Sequence, residues 1–289
     1  MFFQSSSVRL LTLLAIFFVA LTLVSVLQSV IVLTGFEGRP LLLTMSVIQS
    51  VLVFILPAYI AARLFEKDWR SYLSLDRSPS LLSVTGVVIL FIVALPFLNQ
   101  MIFYNENVSF PASVENLFRS MEDQARQVTD VMLGDTNVMG LITGILVVGV
   151  VTGIAEELFF RGALQSVFMG MLRSPVAAIV LSAFVFSLLH MQFYGFAPRF
   201  LMGMLFGYIC WKSGSVMTSA VAHILNNSLV VLTVWLTERG MISSDIDTLG
   251  VIESGFPWIA LLSCLATIGL IIIGGDYFFN NKKSTVKGK

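Results

Sequence analysis

MGLITGILVVGVVTGIAEELFFRGALQSVFMGML, residues 139–172, is an apolar run interrupted by Glu156, Glu157 and Arg161. A helix needs roughly 20 apolar residues to cross a bilayer core of about 30 Å, so this run is too long to be only a simple span. Its continuity excludes the alternating polarity of a membrane β-barrel strand. In lipid a helix satisfies its own backbone hydrogen bonds, so continuous apolar runs become helices. A charge at mid-bilayer costs about 2.5–3.5 kcal/mol on insertion scales and persists when it pairs or serves a function. The same stretch therefore points both to the fold class and to the polar groups that need a reason to be there.

Seven further runs resemble it: 10–33, 41–63, 81–104, 175–193, 198–212, 214–236 and 257–279. The chain has 289 residues, 57% of them hydrophobic and 12% charged, with mean hydropathy +0.91. A soluble domain carries about twice that charge. The expectation is a single all-α, polytopic membrane domain over 1–289 with about eight transmembrane helices. The run 10–33 is about twice as long as a signal-peptide core and is expected to stay as the first span. Pro57 and Pro96 should kink spans two and three. Gly140/Gly144, Gly149/Gly153 and Gly203/Gly207 give the small-residue spacing that lets helices approach closely in lipid. Cys210 and Cys264 lie far apart in apolar runs and read as small buried hydrophobes.

Basic residues orient the bundle. With eight spans and both termini in the cytoplasm, eleven fall on the cytoplasmic side: Arg9, Arg63, Lys67, Arg70, Arg77, Arg173, Lys212, Lys282, Lys283, Lys287 and Lys289. Five fall outside: Arg39, Arg119, Arg126, Arg199 and Arg239. Zero net charge gives no case for nucleic acid. The loop 105–137 is then non-cytoplasmic. Val114, Leu117, Phe118, Met121, Ala125, Val128 and Met132 share one helical face in it, with Ser113 as the expected N-cap and Glu115 in the first turn. It reads as an amphipathic helix on the membrane surface.

Among the acids only Glu156 and Glu157 lie deep in a span, and among the bases only Arg161. Both histidines of the chain, His190 and His223, also fall in spans. Glu157 and Arg161 are four apart and can pair along one helix face, which leaves Glu156, about 100° away, free for chemistry. Arg173-Ser174-Pro175 is the expected turn between helices. The glutamates and His190 are nearly equidistant from it, so they should lie level in the antiparallel pair. His223 and Asn227 share a face of the seventh span, but His223 sits close to that span's cytoplasmic end. It can meet the others only if the fourth and fifth spans protrude or the seventh is set deeper. Two chemistries suit the set. A carboxylate and an imidazole can take a proton from water that attacks a peptide carbonyl, with His223 and Asn227 on the oxyanion. Alternatively His190, His223 and Glu156 can hold Zn²⁺; no HExxH motif favours the metal.

These residues form three motifs. Glu156-Glu157-Leu-Phe-Phe-Arg161 resembles the EExxxR motif of the CAAX-processing and bacteriocin-processing (CPBP) intramembrane proteases. Phe186-Ser-Leu-Leu-His190 resembles their FxxxH motif, and His223-Ile-Leu-Asn-Asn227 their HxxxN motif. The resemblance covers 139–236, the expected catalytic core. It implies eight helices, a location in a bacterial cytoplasmic membrane, and hydrolysis of a peptide or protein with a membrane-associated or lipidated segment. By the same resemblance, Glu156 and His190 activate water, His223 and Asn227 hold the oxyanion, and Glu157, Arg161 and Phe186 support them. A proton-coupled transporter with a Glu156–histidine relay and a non-catalytic scaffold or immunity factor stay as alternatives. A base at Glu156 must be ionised, so activity should fall on acidification.

Overall fold

The computed structural model describes residues 5–242 and 248–279. All regular structure among them is helical. In chain order the helices are α1 (Ser6–Val32), α2 (Gly38–Phe65), the short α3 (Trp69–Tyr72), α4 (Leu81–Glu106), α5 (Ala112–Leu133), α6 (Val138–Leu172), α7 (Pro175–Leu189), α8 (Phe196–Ser213), α9 (Val216–Glu238) and α10 (Trp258–Phe279). Six of them, α1, α2, α4, α6, α9 and α10, are long and apolar enough to cross a membrane. The protein is a multi-pass integral membrane protein. The fifth expected span, 175–193, is shorter than its apolar run. α7 stops at Leu189, His190 caps it, and Met191 turns out of the helix at φ 55°. The basic residues Lys282, Lys283, Lys287 and Lys289 lie outside the described residues.

Local chemistry sets the helix ends. The Asn137 side chain accepts from Gly140 N at 2.6 Å and starts α6. Arg173 ends it in the left-handed region, at φ 51°. Ser174 then caps α7, accepting from Ala177 N at 3.3 Å, with Pro175 in the first turn, where its missing N–H costs nothing. This is the turn expected from the sequence. α5 starts one residue before the expected Ser113 cap. Pro111 holds the N-cap position without a side-chain bond, and Glu115 accepts from Phe110 N at 2.9 Å. A proline there already fixes the entry angle, and the glutamate reaches back to the free N–H. Only part of the α5 apolar face is covered: Val114, Phe118 and Met121 are half-buried, whereas Leu117 and Val128 are exposed.

α2, α6 and α10 each contain wide, π-type turns: Ser50–Ile55 in α2, Ile145–Thr152 and Leu158–Leu164 in α6, and Leu270–Gly274 in α10. A wide turn weakens the regular ladder and leaves carbonyls short of a donor. Neighbouring side chains supply donors in α6 and α10. Asn227 Nδ2 donates to Val148 O at 3.1 Å, Ser182 Oγ to Phe160 O at 3.0 Å and Tyr208 Oη to Ile271 O at 2.7 Å. In α2 the wide turn runs up to Pro57, which has no N–H to give.

At Pro96 the repair comes from another helix. Ser263 Oγ of α10 accepts from Phe97 N at 3.1 Å and donates to Val93 O at 2.5 Å, so one hydroxyl replaces a rung of α4. Ser263→Ala is expected to lower stability by about 1–3 kcal/mol, because both backbone groups lose a partner in a water-poor site. Unfolding in detergent micelles checks this, and an unchanged midpoint would remove the bridge from the account.

Two buried apolar clusters flank the site. One joins α1, α2, α6 and α7 through Leu13, Phe17, Phe159, Phe160 and Phe168; the other joins α4, α8 and α9 through Leu90, Phe91, Phe206, Ile209 and Ala222. Glycines set the close contacts. A Cβ on Gly203 would lie 3.0 Å from Ala183 Cβ, and one on Gly153 3.3 Å from Ile224 N. α6 and α9 therefore touch nearly backbone to backbone beside Glu156, and α8 and α7 do so beside Arg161. Gly140 is different: its open side faces Asp135 in the preceding loop, not another helix. Cys210 is buried and Cys264 half-buried, and both are free thiols.

Candidate active site

The Gly153–Glu157 turn of α6 lies between the two wide segments. It presents Glu156 and Glu157 toward α9. Glu157 is fully buried, and its Oε1 accepts from His223 Nδ1 at 3.0 Å. Its Oε2 lies 3.3 Å from Arg161 Nε, an ion pair one turn along the helix. Arg161, 1% exposed, also donates to Gly203 O at 3.3 Å and lies 4.7 Å from the centroid of the Phe186 ring. The pair therefore exists as the i,i+4 spacing implied. Glu157 does more than neutralise Arg161, because it also holds the ring plane of His223 through Nδ1.

His223 is held on three sides. Phe206 stacks on it at 4.8 Å between centroids, and Phe186 meets it edge-on at 5.8 Å. Its Nε2 then faces Glu156 Oε2 at 3.6 Å. The imidazole in contact with Glu156 is thus that of His223. His190 lies on the same cavity wall, where its Nδ1 donates to Phe186 O at 2.8 Å, leaving Nε2 as the acceptor. Asn227 Nδ2 spends one hydrogen on Val148 O and keeps a second, while Asn227 Oδ1 accepts from Asn226 Nδ2 at 3.1 Å.

The register problem at His223 has a simple solution. α9 begins at Val216, about two turns before His223, whereas α6 runs about four turns beyond Glu157 to Leu172. α6 and α7 overhang α9, and α1 meets the overhang at Gly170, where a Cβ would lie 3.0 Å from Ser6 Oγ.

A cavity of about 470 Å³ joins the groups. Glu156, His190, His223, Asn226 and Asn227 line it, with Phe186, Phe206, Gln192 and Arg199. A charged recess of about 290 Å³, lined by Glu106, Arg119, Glu122, Asp123, Arg126 and Tyr194, shares Glu106, Glu122 and Tyr194 with it. The shared wall gives water a polar route. Sequence reasoning did not single out Phe206, Asn226, Gln192 or Arg199. For Arg199 a signal existed: it lies inside the apolar run 198–212, although it was counted with the outer loops. Phe206 reads as ordinary packing until its neighbour is known.

Among the described residues no three His, Cys, Asp or Glu side chains gather closely enough to hold one metal ion. His190, His223 and Glu156 as placed do not fit a zinc centre.

Fold and cluster together define a class: a helical multi-pass membrane protein with a buried Glu–His–Arg cluster on the wall of a cavity. Residues 138–229, which carry the whole cluster, match the family described as Type II CAAX prenyl endopeptidase Rce1-like. Uncharacterized protein YyaK of Bacillus subtilis (strain 168) is 27% identical over 142 residues, covering 46% of this chain and 46% of that protein. The match thus spans less than half the length of this curated relative. Its bacterial source fits the expected bacterial membrane. No solved structure matches the chain.

Proposed function

We propose that the chain is an intramembrane endopeptidase of the CAAX-protease-like type. The observation that carries this reading is the Glu156–His223–Glu157–Arg161 chain of contacts opening on a cavity that also holds His190. Glu156, the free carboxylate, takes a proton from a water molecule. His190 Nε2 accepts that water's other hydrogen and aims it. The water oxygen attacks the peptide carbonyl, and the oxyanion is met by His223 Nε2–H and the remaining Asn227 N–H. Glu157 holds His223 through Nδ1 and so turns its Nε2 edge toward the cavity. Collapse of the intermediate breaks the C–N bond, and the leaving amine takes the proton from Glu156. The substrate class is a peptide or protein with a membrane-associated or lipidated segment, since the cavity lies within the bundle.

New protein termini in membranes expressing the wild type, compared with those expressing Glu156→Gln, His190→Ala or His223→Ala, test the reading. Cleavage sites present only with the wild type are expected. Identical termini in all four membranes would falsify the protease reading. A pH-driven solute flux lost in Glu156→Gln would replace it with transport.

A further inference from the structure

The cavity wall contains one permanent cation that the proposed chemistry does not use, Arg199 in the first turn of α8. Among the described residues no acid lies within ion-pair distance of it. Its guanidinium is spent instead on Gln192, with Nη2 donating to Gln192 Oε1 at 2.8 Å and Nη1 to Gln192 O at 3.4 Å. Gln192 Nε2 in turn donates to Glu122 Oε1 of α5 at 3.4 Å. Gly195 leaves room for the fork, since a Cβ there would lie 3.0 Å from Nη2.

The gripped residue is two positions after His190. Between them Met191 holds φ 55°, a conformation that a side-chain-bearing residue rarely adopts and that surrounding contacts must impose. The Met191 N–H closes the last turn of α7 on Leu188 O at 3.0 Å, and this left-handed helix end delivers Gln192 to Arg199. Ser187 Oγ donates to Phe196 O at 2.7 Å and ties the last turn of α7 to α8, three positions before His190, while the grip on Gln192 lies two positions after it.

We propose that Arg199 is a positioning residue that fixes the His190 imidazole in the cavity by clamping Gln192. This rests on the role given to His190 above, but it can be tested without a substrate. The protein has two histidines, so histidine labelled with nitrogen-15 in nanodiscs gives two imidazole spin systems, assigned with His223→Gln. In R199Q and in Q192A the His190 resonances are expected to move and its Nδ1–H to lose protection from exchange. The His223 resonances, held by Glu157, should stay in place. R199K keeps the charge but cannot make both bonds, so it should behave as R199Q does. An unmoved His190 in R199Q overturns the proposal, and so does a wild-type His190 spectrum in R199K, which would make charge the relevant property.

On the cleavage reaction, R199Q should lower kcat on the order of 10²-fold with KM little changed, as expected for a misplaced group. The double variant R199Q/Q192A should lose no more than R199Q alone. A raised KM with kcat preserved would make Arg199 a substrate-binding residue instead. If the wild type produces no new termini while His190 moves as described, the protease reading fails and the positioning role stands. If Glu156→Gln is inactive and His190 does not move, the outcome is the reverse.

Discussion

Glu156→Gln is expected to lower kcat about 10³-fold, within the range that a positioned general base supplies, while the protein folds as the wild type does. Glutamine keeps the shape and removes the basic oxygen. The substitution does not touch the buried ion pair, because Arg161 is neutralised by Glu157 at 3.3 Å and Glu156 meets only the Nε2 face of His223 at 3.6 Å. Loss of activity with an unchanged unfolding midpoint is therefore the expected combination. Single-turnover cleavage of a substrate found by terminus profiling measures the first, and thermal unfolding in detergent the second. Cleavage within a factor of a few of the wild type would move the base elsewhere, with His190 next in line.

Glu157→Gln should behave differently. It removes one carboxylate that serves two partners, and both partners are buried, Arg161 at 1% and His223 at 3% exposure. Breaking one side of a buried pair strands a charge in a low-dielectric site and typically costs about 3–5 kcal/mol. The Phe186 and Phe206 rings that surround Arg161 lie 4.7 and 5.7 Å from its guanidinium and offer only part of that compensation. Activity should fall as well, because His223 loses the acceptor that sets its Nδ1. Chemical unfolding in a fixed detergent measures the stability, and a change below about 1 kcal/mol would mean that Arg161 finds another acceptor. The double variant Glu157→Gln/Arg161→Met should recover part of the stability and none of the activity. That separates ion pairing from the orientation of His223.

Much of the architecture was legible in the chain. Apolar runs longer than a bilayer core leave the backbone no solution but helix, so the order and approximate ends of the long helices follow from composition. The Arg173–Ser174–Pro175 turn was legible because each residue acts locally: a left-handed helix end, a side-chain cap and a proline in the first turn. That Glu156, Glu157 and His223 would be enclosed was legible for a thermodynamic reason, since ionisable groups in lipid need partners, whereas His190 is half-buried at the end of α7. The Glu157–Arg161 pair followed from helix periodicity alone.

Other features depend on which helices touch, and periodicity within one helix carries no information about that. The end of α7 at Leu189 is one example: the apolar run continues, but Met191 takes a left-handed turn, after which Gln192 bonds to Glu122 of α5 and Arg199 of α8. The start of α5 is another, because the expected Ser113 cap gives way to a proline entry and a carboxylate that reaches back to Phe110. The overhang of α6 and α7 beyond α9 is a third, and without it His223 would miss the glutamates. Sequence by itself determined that this protein is a helical bundle in a membrane with a small set of ionisable groups inside. Only the tertiary structure decided that Glu157 serves both Arg161 and His223, that Glu156 faces His223, and that Arg199 grips the turn after His190. Those contacts join residues far apart in the chain, and their geometry is set by close glycine-mediated packing between helices.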